Sequence, residues 1–117
     1  MKTALITGGS GHVGANLVRE LTKQDFKVRC IDFDGDHRAF EGHAVELIRG
    51  NITDIESMDV AFKNVDVVFH TAALISLVRK DRDIIRSVNV LGTKNVCELS
   101  LRHGVKKLIH FSSVDAF

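Results

Sequence analysis

Three residue types are missing from this 117-residue chain, which contains no proline, no tryptophan and no tyrosine. The absence of proline is unusual, because proline averages about 5% of protein sequences. The chain has no run of about 18 apolar residues, and its start lacks the apolar stretch of a secretory signal. We therefore expect neither a transmembrane helix nor a membrane partner, and we expect a cytoplasmic protein.

The chain also has few cysteines and almost no net charge. Cys30 and Cys97 are the only cysteines, both within apolar patterns and without CxxC spacing, which favours free, packed thiols in a reducing compartment. The six histidines show no metal-ligand spacing, so we expect no metal site. Sixteen basic and 15 acidic residues give a net charge of +1 and are interspersed. This balance argues against a nucleic-acid partner.

Short β-branched runs alternate along the chain with helical patterns. Strands are predicted over residues 3–7, 27–32, 45–49, 66–70 and 107–112. Three helices are predicted. The first runs from Val13 to Leu21 and the third covers residues 83–102. The second is a short helix with Asp54 as its N-cap, because the carboxylate of Asp54 can accept hydrogen bonds from the N–H groups of the first turn. This alternation predicts one α/β domain over residues 1–117: a Rossmann-type, doubly wound parallel sheet with strand order 3-2-1-4-5.

A glycine-rich turn lies between the first predicted strand and the first helix. Gly9, Gly11 and Gly14 form G-x-G-x-x-G, a spacing that lets backbone N–H groups and a helix N-terminus meet a pyrophosphate. Asp32 follows Gly11 by 21 residues, at the end of the second strand. A carboxylate there can accept from both adenosine ribose hydroxyls and repel a 2′-phosphate, which favours NAD over NADP. A turn without a ligand and a merely strand-ending Asp32 are the alternatives.

These motifs, in this order, resemble the extended branch of the short-chain dehydrogenase/reductase superfamily. That branch includes NAD-dependent sugar epimerases and dehydratases, 3β-hydroxysteroid dehydrogenases and dihydroflavonol reductases. The segment TGGSGHVG at residues 7–14 is similar to the TGxxGxxG signature of the branch, and the resemblance covers the whole chain. It implies that the dinucleotide is held by Gly8, Gly9, Ser10, Gly11, His12, Val13 and Gly14.

Two further segments resemble cofactor-binding segments of the same branch. Residues 50–54 are similar to G-D-x-x-D, which implies that Asn51 and Ile52 flank adenine, although Asn51 stands where aspartate is usual. An amide at this position can still face the adenine amino group. Residues 70–73 (HTAA) resemble the segment at the end of a strand that lies along the cofactor. This sequence is most similar to that of the steroid dehydrogenase and flavonol reductase members of the branch. This implies contacts from Thr71, Ala72 and Ala73. For the His70 ring, packing at the strand end is the favoured interpretation.

Two residues match catalytic positions of the branch. Residues 89–93 resemble N-V-x-G-T, which implies that Asn89 braces the active site, and Ser113 matches the serine that bonds the substrate oxygen during hydride transfer. The alternatives are an ordinary helix asparagine and a strand-end turn serine. The branch also uses a Tyr-x-x-x-Lys pair for proton transfer, and this chain has no tyrosine. We therefore expect cofactor binding with little or no turnover.

Two hypotheses account for the missing pair. The first is the N-terminal fragment of a longer enzyme that transfers hydride on a hydroxyl or carbonyl of a sugar nucleotide, steroid-like or flavonoid-like substrate. The second is a small, non-catalytic NAD-binding module such as a redox sensor, and a domain without nucleotide ranks below both. A fragment would leave a sheet edge exposed, so we expect it to pair with itself as a homodimer.

Overall fold

The computed structural model describes residues 1–8, 12–32, 45–71 and 82–111, with the backbone alone for residues 12, 13, 82–85 and 88. Within these ranges the strands are β1 (Thr3–Thr7), β2 (Lys27–Asp32), β3 (Val45–Arg49), β4 (Val67–His70) and β5 (Lys107–His110). The helices are α1 (His12–Lys23), α2 (Ile55–Met58), which continues into a 3₁₀ turn (Asp59–Phe62), and α3 (Arg82–Arg102).

The described strands form one parallel sheet in the order β3-β2-β1-β4-β5, which confirms the predicted order. The central strand β1 is buried along its whole length. Successive side chains of a strand point to opposite faces of the sheet, so a strand that is buried on both faces needs apolar side chains at odd and at even positions. Among the described strands β3 and β5 are the edges, and self-pairing of the chain stays a prediction.

Each face of the sheet has its own apolar core. The core under α1 contains Ala4, Ile6, Val18, Leu21, Val28 and Cys30. The core under α2, the 3₁₀ turn and α3 contains Leu5, Ile31, Met58, Ala61, Phe62, Val65, Val68, Val96 and Leu99. The two cores hold alternate residues of β1, so the sheet is covered on both faces as the doubly wound prediction required. Of the helices described, none is long and apolar enough to span a membrane.

The element bounds follow the predictions closely, with differences at two strand ends. Strand β4 begins at Val67 rather than at residue 66, because Asp66 forms a bend whose carboxylate accepts from the Thr3 amide at 2.8 Å. Strand β5 ends at His110, two residues before the predicted end. Helix α3 ends at Arg102, just before Gly104, whose φ of +66° suits a residue without a side chain.

The prediction that the Asp54 carboxylate caps α2 is wrong. Asp54 occupies the N-cap position, but its side chain makes no capping hydrogen bond. The Ser57 hydroxyl closes this turn instead: it donates to the Asp54 carbonyl at 2.7 Å and lies 3.0 Å from the Asn51 amide, from which it accepts. The side chain of Asp54 therefore remains exposed to solvent.

The two cysteines are free thiols, as predicted. Cys30 is buried under α1, and Cys97 is half-buried on α3. Burial, with a smaller contribution from the nearby Asp32 charge, raises the pKa of the Cys30 thiol to about 12. Because the thiolate is the reactive form, Cys30 acts as a small apolar residue at neutral pH.

Candidate functional site

The carboxyl ends of the parallel strands meet at one edge of the sheet, and backbone hydrogen bonds continue across that edge. The Gly8 amide donates to the Ile31 carbonyl at 2.9 Å, and the Gly50 amide donates to the Asp32 carbonyl at 3.1 Å. These bonds hold the turn after β1, the end of β2 and the loop after β3 side by side. Residues that the sequence separates by 18 and 23 positions are thus bonded to each other, at the edge where open α/β sheets bind ligands.

The turn after β1 leads from Gly8 to the amino end of α1. Gly8 has a φ of +74°, in the left-handed region that glycine adopts without steric cost. Gly14 is buried in the first turn of α1, and that turn carries no acidic side chain. The positive end of the helix dipole is therefore not neutralised by a carboxylate of its own turn, which suits an anion. The predicted residues Gly9, Ser10 and Gly11 and the side chains of His12 and Val13 lie outside the described residues.

Asp32 ends β2 between the two glycine-containing turns. It is 8% exposed, and its backbone carbonyl is bonded to Gly50. A Cβ at Gly50 would lie 3.0 Å from Ile31 Cγ2 and 3.4 Å from the Ser57 carbonyl, so the loop after β3 packs tightly against the end of β2. The backbone at the end of β2 thus lies between Gly8 and Gly50.

The loop after β3 is held by bonds within itself. The Oδ1 atom of Asn51 accepts from the Thr53 amide at 3.0 Å and from the Thr53 hydroxyl at 2.8 Å. The Asp54 amide donates to the Asn51 carbonyl at 2.9 Å. With the Ser57 bonds, these contacts make residues 51–57 a compact unit at the edge of the sheet.

Helix α3 fixes the same loop from the other side. The Asn95 side chain, which is 8% exposed, donates from Nδ2 to the Ile52 carbonyl at 2.9 Å. The Ile52 side chain covers Gly92 so closely that a Cβ there would lie 2.5 Å from Ile52 Cδ1. The sequence reasoning missed Asn95. Its signal is a spacing of three from Gly92, which places both residues on one face of a helix.

The end of β4 is held by a buried histidine. His70 is 3% exposed, with Nδ1 2.7 Å from the Thr7 hydroxyl and Nε2 3.1 Å from the Thr93 hydroxyl. Burial, followed by repulsion from His110 on β5, lowers the pKa of His70 to about 4. The ring is therefore neutral at pH 7, when one nitrogen donates and the other accepts. This agrees with the packing role expected for His70, and the bonds to β1 and α3 explain its position.

Thr71 extends the same network to the turn after β1. Its amide donates to the Thr7 hydroxyl at 3.0 Å, and its own hydroxyl donates to the Thr7 carbonyl. The Thr71 hydroxyl is also 3.4 Å from the Gly8 carbonyl. Thr71 thus ties the end of β4 to the glycine turn. The predicted contacts from Ala72 and Ala73 fall outside the described residues.

Of the two predicted catalytic residues, Asn89 lies within the described part of the chain and Ser113 does not. Asn89 is half-buried on α3, one turn before Thr93, so it lies on the face of the helix that meets His70. Ser113 lies outside the described residues and stays a prediction. The last described residue before it is Phe111, whose amide donates to the His70 carbonyl at 3.1 Å. The described part of the chain contains no group of three or more metal-ligating side chains.

The chain matches known proteins along almost its whole length. Residues 5–117 match the 3-beta hydroxysteroid dehydrogenase/isomerase family. The chain is 41% identical over 115 residues to sterol demethylase protein B of Methylococcus capsulatus, covering 97% of this chain and 35% of that protein. It is 37% identical over 116 residues to the 3 beta-hydroxysteroid dehydrogenase/Delta 5→4-isomerase of Mycobacterium tuberculosis, covering 93% and 31%. The chain thus spans about a third of the length of these curated relatives.

Solved structures resemble the chain in the same way. A short-chain dehydrogenase/reductase superfamily protein from Agrobacterium tumefaciens with bound NAD superimposes with a TM-score of 0.80 at 31% identity, over 95% of this chain and 32% of that one. The Bordetella bronchiseptica enzyme WbmG in complex with NAD gives a TM-score of 0.83 at 30% identity, over 96% and 37%. Both confirm the Rossmann-type fold.

Proposed function

Because the chain belongs to the 3-beta hydroxysteroid dehydrogenase/isomerase family, we propose that it is the NAD-binding part of an NAD-dependent oxidoreductase. The observation that carries this proposal is the meeting of Gly8, Asp32 and Asn51 at one edge of the sheet. A dinucleotide needs an anion site, a diol acceptor and a base site in a row. The ends of β1, β2 and β3 offer these in that spatial order.

The described residues fit the dinucleotide in their chemistry. The amino end of α1 would receive the pyrophosphate, since its first turn has no competing carboxylate. The Asp32 carboxylate would accept from the adenosine ribose hydroxyls, and its negative charge would repel a 2′-phosphate. Thr71 would keep the β4 end close to the turn on the nicotinamide side, through its bonds to Thr7. NAD-bound relatives of the same fold support this assignment.

The reaction that we propose is hydride transfer between a substrate carbinol and the nicotinamide, which supplies the hydride-accepting carbon when NAD is bound. Ser113 would bond the substrate oxygen and Asn89 would brace the site. The chain contains no tyrosine, so a Tyr-x-x-x-Lys pair would have to be supplied from outside these 117 residues. We therefore propose that the chain is the N-terminal part of a longer enzyme, and its match to about a third of the length of the curated relatives supports this proposal. We propose a sterol- or steroid-like alcohol as substrate, because the two curated relatives described above are named for such molecules.

Calorimetric titration with NAD and NADP tests the cofactor assignment, with Asp32→Ala as the variant. We expect the chain to bind NAD more tightly than NADP. Hydrogen bonds to a charged group contribute about 1.5–3 kcal/mol, so Asp32→Ala should weaken NAD binding about 10- to 100-fold. NADP binding should weaken less, because the variant also removes a repulsion.

The matched control is Glu98→Ala, which removes a carboxylate from an exposed position on α3 and should leave both affinities unchanged. Circular dichroism establishes that each protein is folded. A folded chain that binds neither dinucleotide would contradict the proposal, and so would an Asp32→Ala variant with an unchanged ratio of NAD to NADP affinity.

A further inference from the structure

The amide of Asn51 is oriented by hydrogen bonds that leave only its nitrogen available. The acceptor atom can be identified as oxygen, because the Thr53 backbone N–H at 3.0 Å can only donate. The Thr53 hydroxyl donates to the same Oδ1 at 2.8 Å. An amide oxygen has two lone pairs, and both are therefore engaged. Among the described residues, the Nδ2 atom of Asn51 has no protein partner, and the side chain is half-exposed.

The surrounding bonds keep Asn51 in this orientation. Its backbone amide donates to the Ser57 hydroxyl at 3.0 Å, and Asn95 holds the next residue, Ile52, through its carbonyl at 2.9 Å. Turning the amide over would place Nδ2 against the Thr53 backbone N–H, one donor facing another, so that bond would be lost. The loop after β3 therefore presents a hydrogen-bond donor at its outer side.

Asn51 lies where the base of the proposed dinucleotide would be. Asp32, the proposed ribose acceptor, ends β2, and its carbonyl is bonded to Gly50, directly before Asn51. Neighbouring strands are about 4.8 Å apart, and the base is attached to the same ribose. With the pyrophosphate on the β1 side of Asp32, the base would extend to the β3 side. This step rests on the proposed function.

We propose that Asn51 sets the base specificity of this site as a donor, so that the chain accepts a purine with an oxygen in place of the exocyclic amine of adenine. Adenine presents an N–H₂ donor at that position, which an acceptor side chain selects. Hypoxanthine presents a carbonyl oxygen, which the Nδ2 of Asn51 can bond. The site would then discriminate little between NAD and nicotinamide hypoxanthine dinucleotide.

The test is calorimetric titration of the folded chain with both dinucleotides, alongside Asn51→Asp. Aspartate keeps one oxygen for the two Thr53 bonds and adds a second acceptor in place of the donor. We expect the chain to bind the two dinucleotides within about threefold of each other, or to favour hypoxanthine. Asn51→Asp should favour NAD by about tenfold, because the carboxylate pairs with the amine and repels the carbonyl. The added negative charge weakens the binding of both dinucleotides by a similar factor, so this effect cancels in the ratio of the two affinities.

A second variant, Thr53→Val, removes one of the two donors to Oδ1 and should shift the ratio toward NAD by a smaller factor. A chain that favours NAD by tenfold or more would overturn the inference while leaving the NAD site intact, and so would an Asn51→Asp variant with an unchanged ratio. Binding of neither dinucleotide would overturn the inference together with the proposed function.

Discussion

The loop after β3 and the end of β4 lie at the same edge of the sheet, but different chemistry holds them. The β3 loop is fixed by amides and hydroxyls, through bonds among Asn51, Thr53, Ser57 and Asn95 with backbone groups. At the β4 end Thr71 also bonds Thr7 through an amide and a hydroxyl, but here an imidazole, that of His70, lies between two further hydroxyl contacts. None of the groups that bond the β3 loop titrates between pH 4 and 8, whereas the ring of His70 has a proton to gain.

Because of this difference, we expect the stability of the β4 end to depend on pH and that of the β3 loop to be independent of it. Protonation of His70 would make both ring nitrogens donors and place a charge in a buried position beside His110. The structure around the β4 end should therefore weaken in acid. The β3 loop should respond to packing and to the loss of single hydrogen bonds, but not directly to pH.

The largest expected effect is the acid dependence that His70 imposes on folding. Its pKa is lowered from 6.5 to about 4, so between these values the unfolded chain binds a proton that the folded chain does not. Stability from this group is complete above pH 6.5 and decreases as the pH falls toward 4. That difference in pKa is equivalent to about 3 kcal/mol. Urea denaturation from pH 4.5 to 7.5 should show this loss, and His70→Gln should flatten it.

The control for that series is His103→Gln. His103 pairs with Asp59 at 2.8 Å, away from the β4 end, and it lowers the pKa of the Asp59 carboxyl below its usual 3.8. Because that carboxyl gains its proton below the measured range, this variant should keep the loss of stability between pH 6.5 and 4.5. If the free energy of unfolding of His70→Gln decreased with falling pH as steeply as that of the parent chain, other groups would cause the acid sensitivity. The proposed contrast between the β4 end and the β3 loop would then be wrong.

The next effect concerns the packing of the β3 loop on α3. Gly92→Ala places a methyl group 2.5 Å from Ile52 Cδ1 and 3.1 Å from Ile52 Cβ, and such overpacking costs about 1–3 kcal/mol. Helix propensity offsets part of this cost, so we expect a net loss of about 1–2 kcal/mol at every pH. In an Ile52→Ala background the same substitution should become neutral or stabilising. Denaturation of the four proteins of this cycle measures the coupling, and additive effects would contradict the contact.

The smallest effect distinguishes two residues of the β3 loop. Ser57→Ala removes the hydroxyl that bonds the Asn51 amide and the Asp54 carbonyl, and it should cost about 1 kcal/mol. Asp54→Ala removes a carboxylate without a capping bond, and it should change stability by less than about 0.5 kcal/mol. Denaturation midpoints of the two variants decide the order, and a larger loss for Asp54→Ala would restore the capping role that the structure denies.

Much of the fold could be predicted because it depends on local patterns. Alternating strands and helices with both faces apolar allow few topologies, and right-handed crossovers leave the observed order β3-β2-β1-β4-β5. The position of Asp32 followed from the same reasoning, since a residue that ends a strand has a known place in a parallel sheet. The strand ends at Val67 and His110 were less predictable, because bends there depend on partners in other strands.

The sequence by itself determined the sheet, its order and the edge at which Gly8, Asp32 and Asn51 meet, because periodicity and glycine spacing act within a few residues of each position. Only the tertiary structure decided how the polar side chains at that edge are paired. His70 bonds residues 63 and 23 positions away, and Asn95 reaches back 43 positions to the β3 loop. Such pairings depend on distances that exist only after the helices pack on the sheet, so no local pattern encodes them.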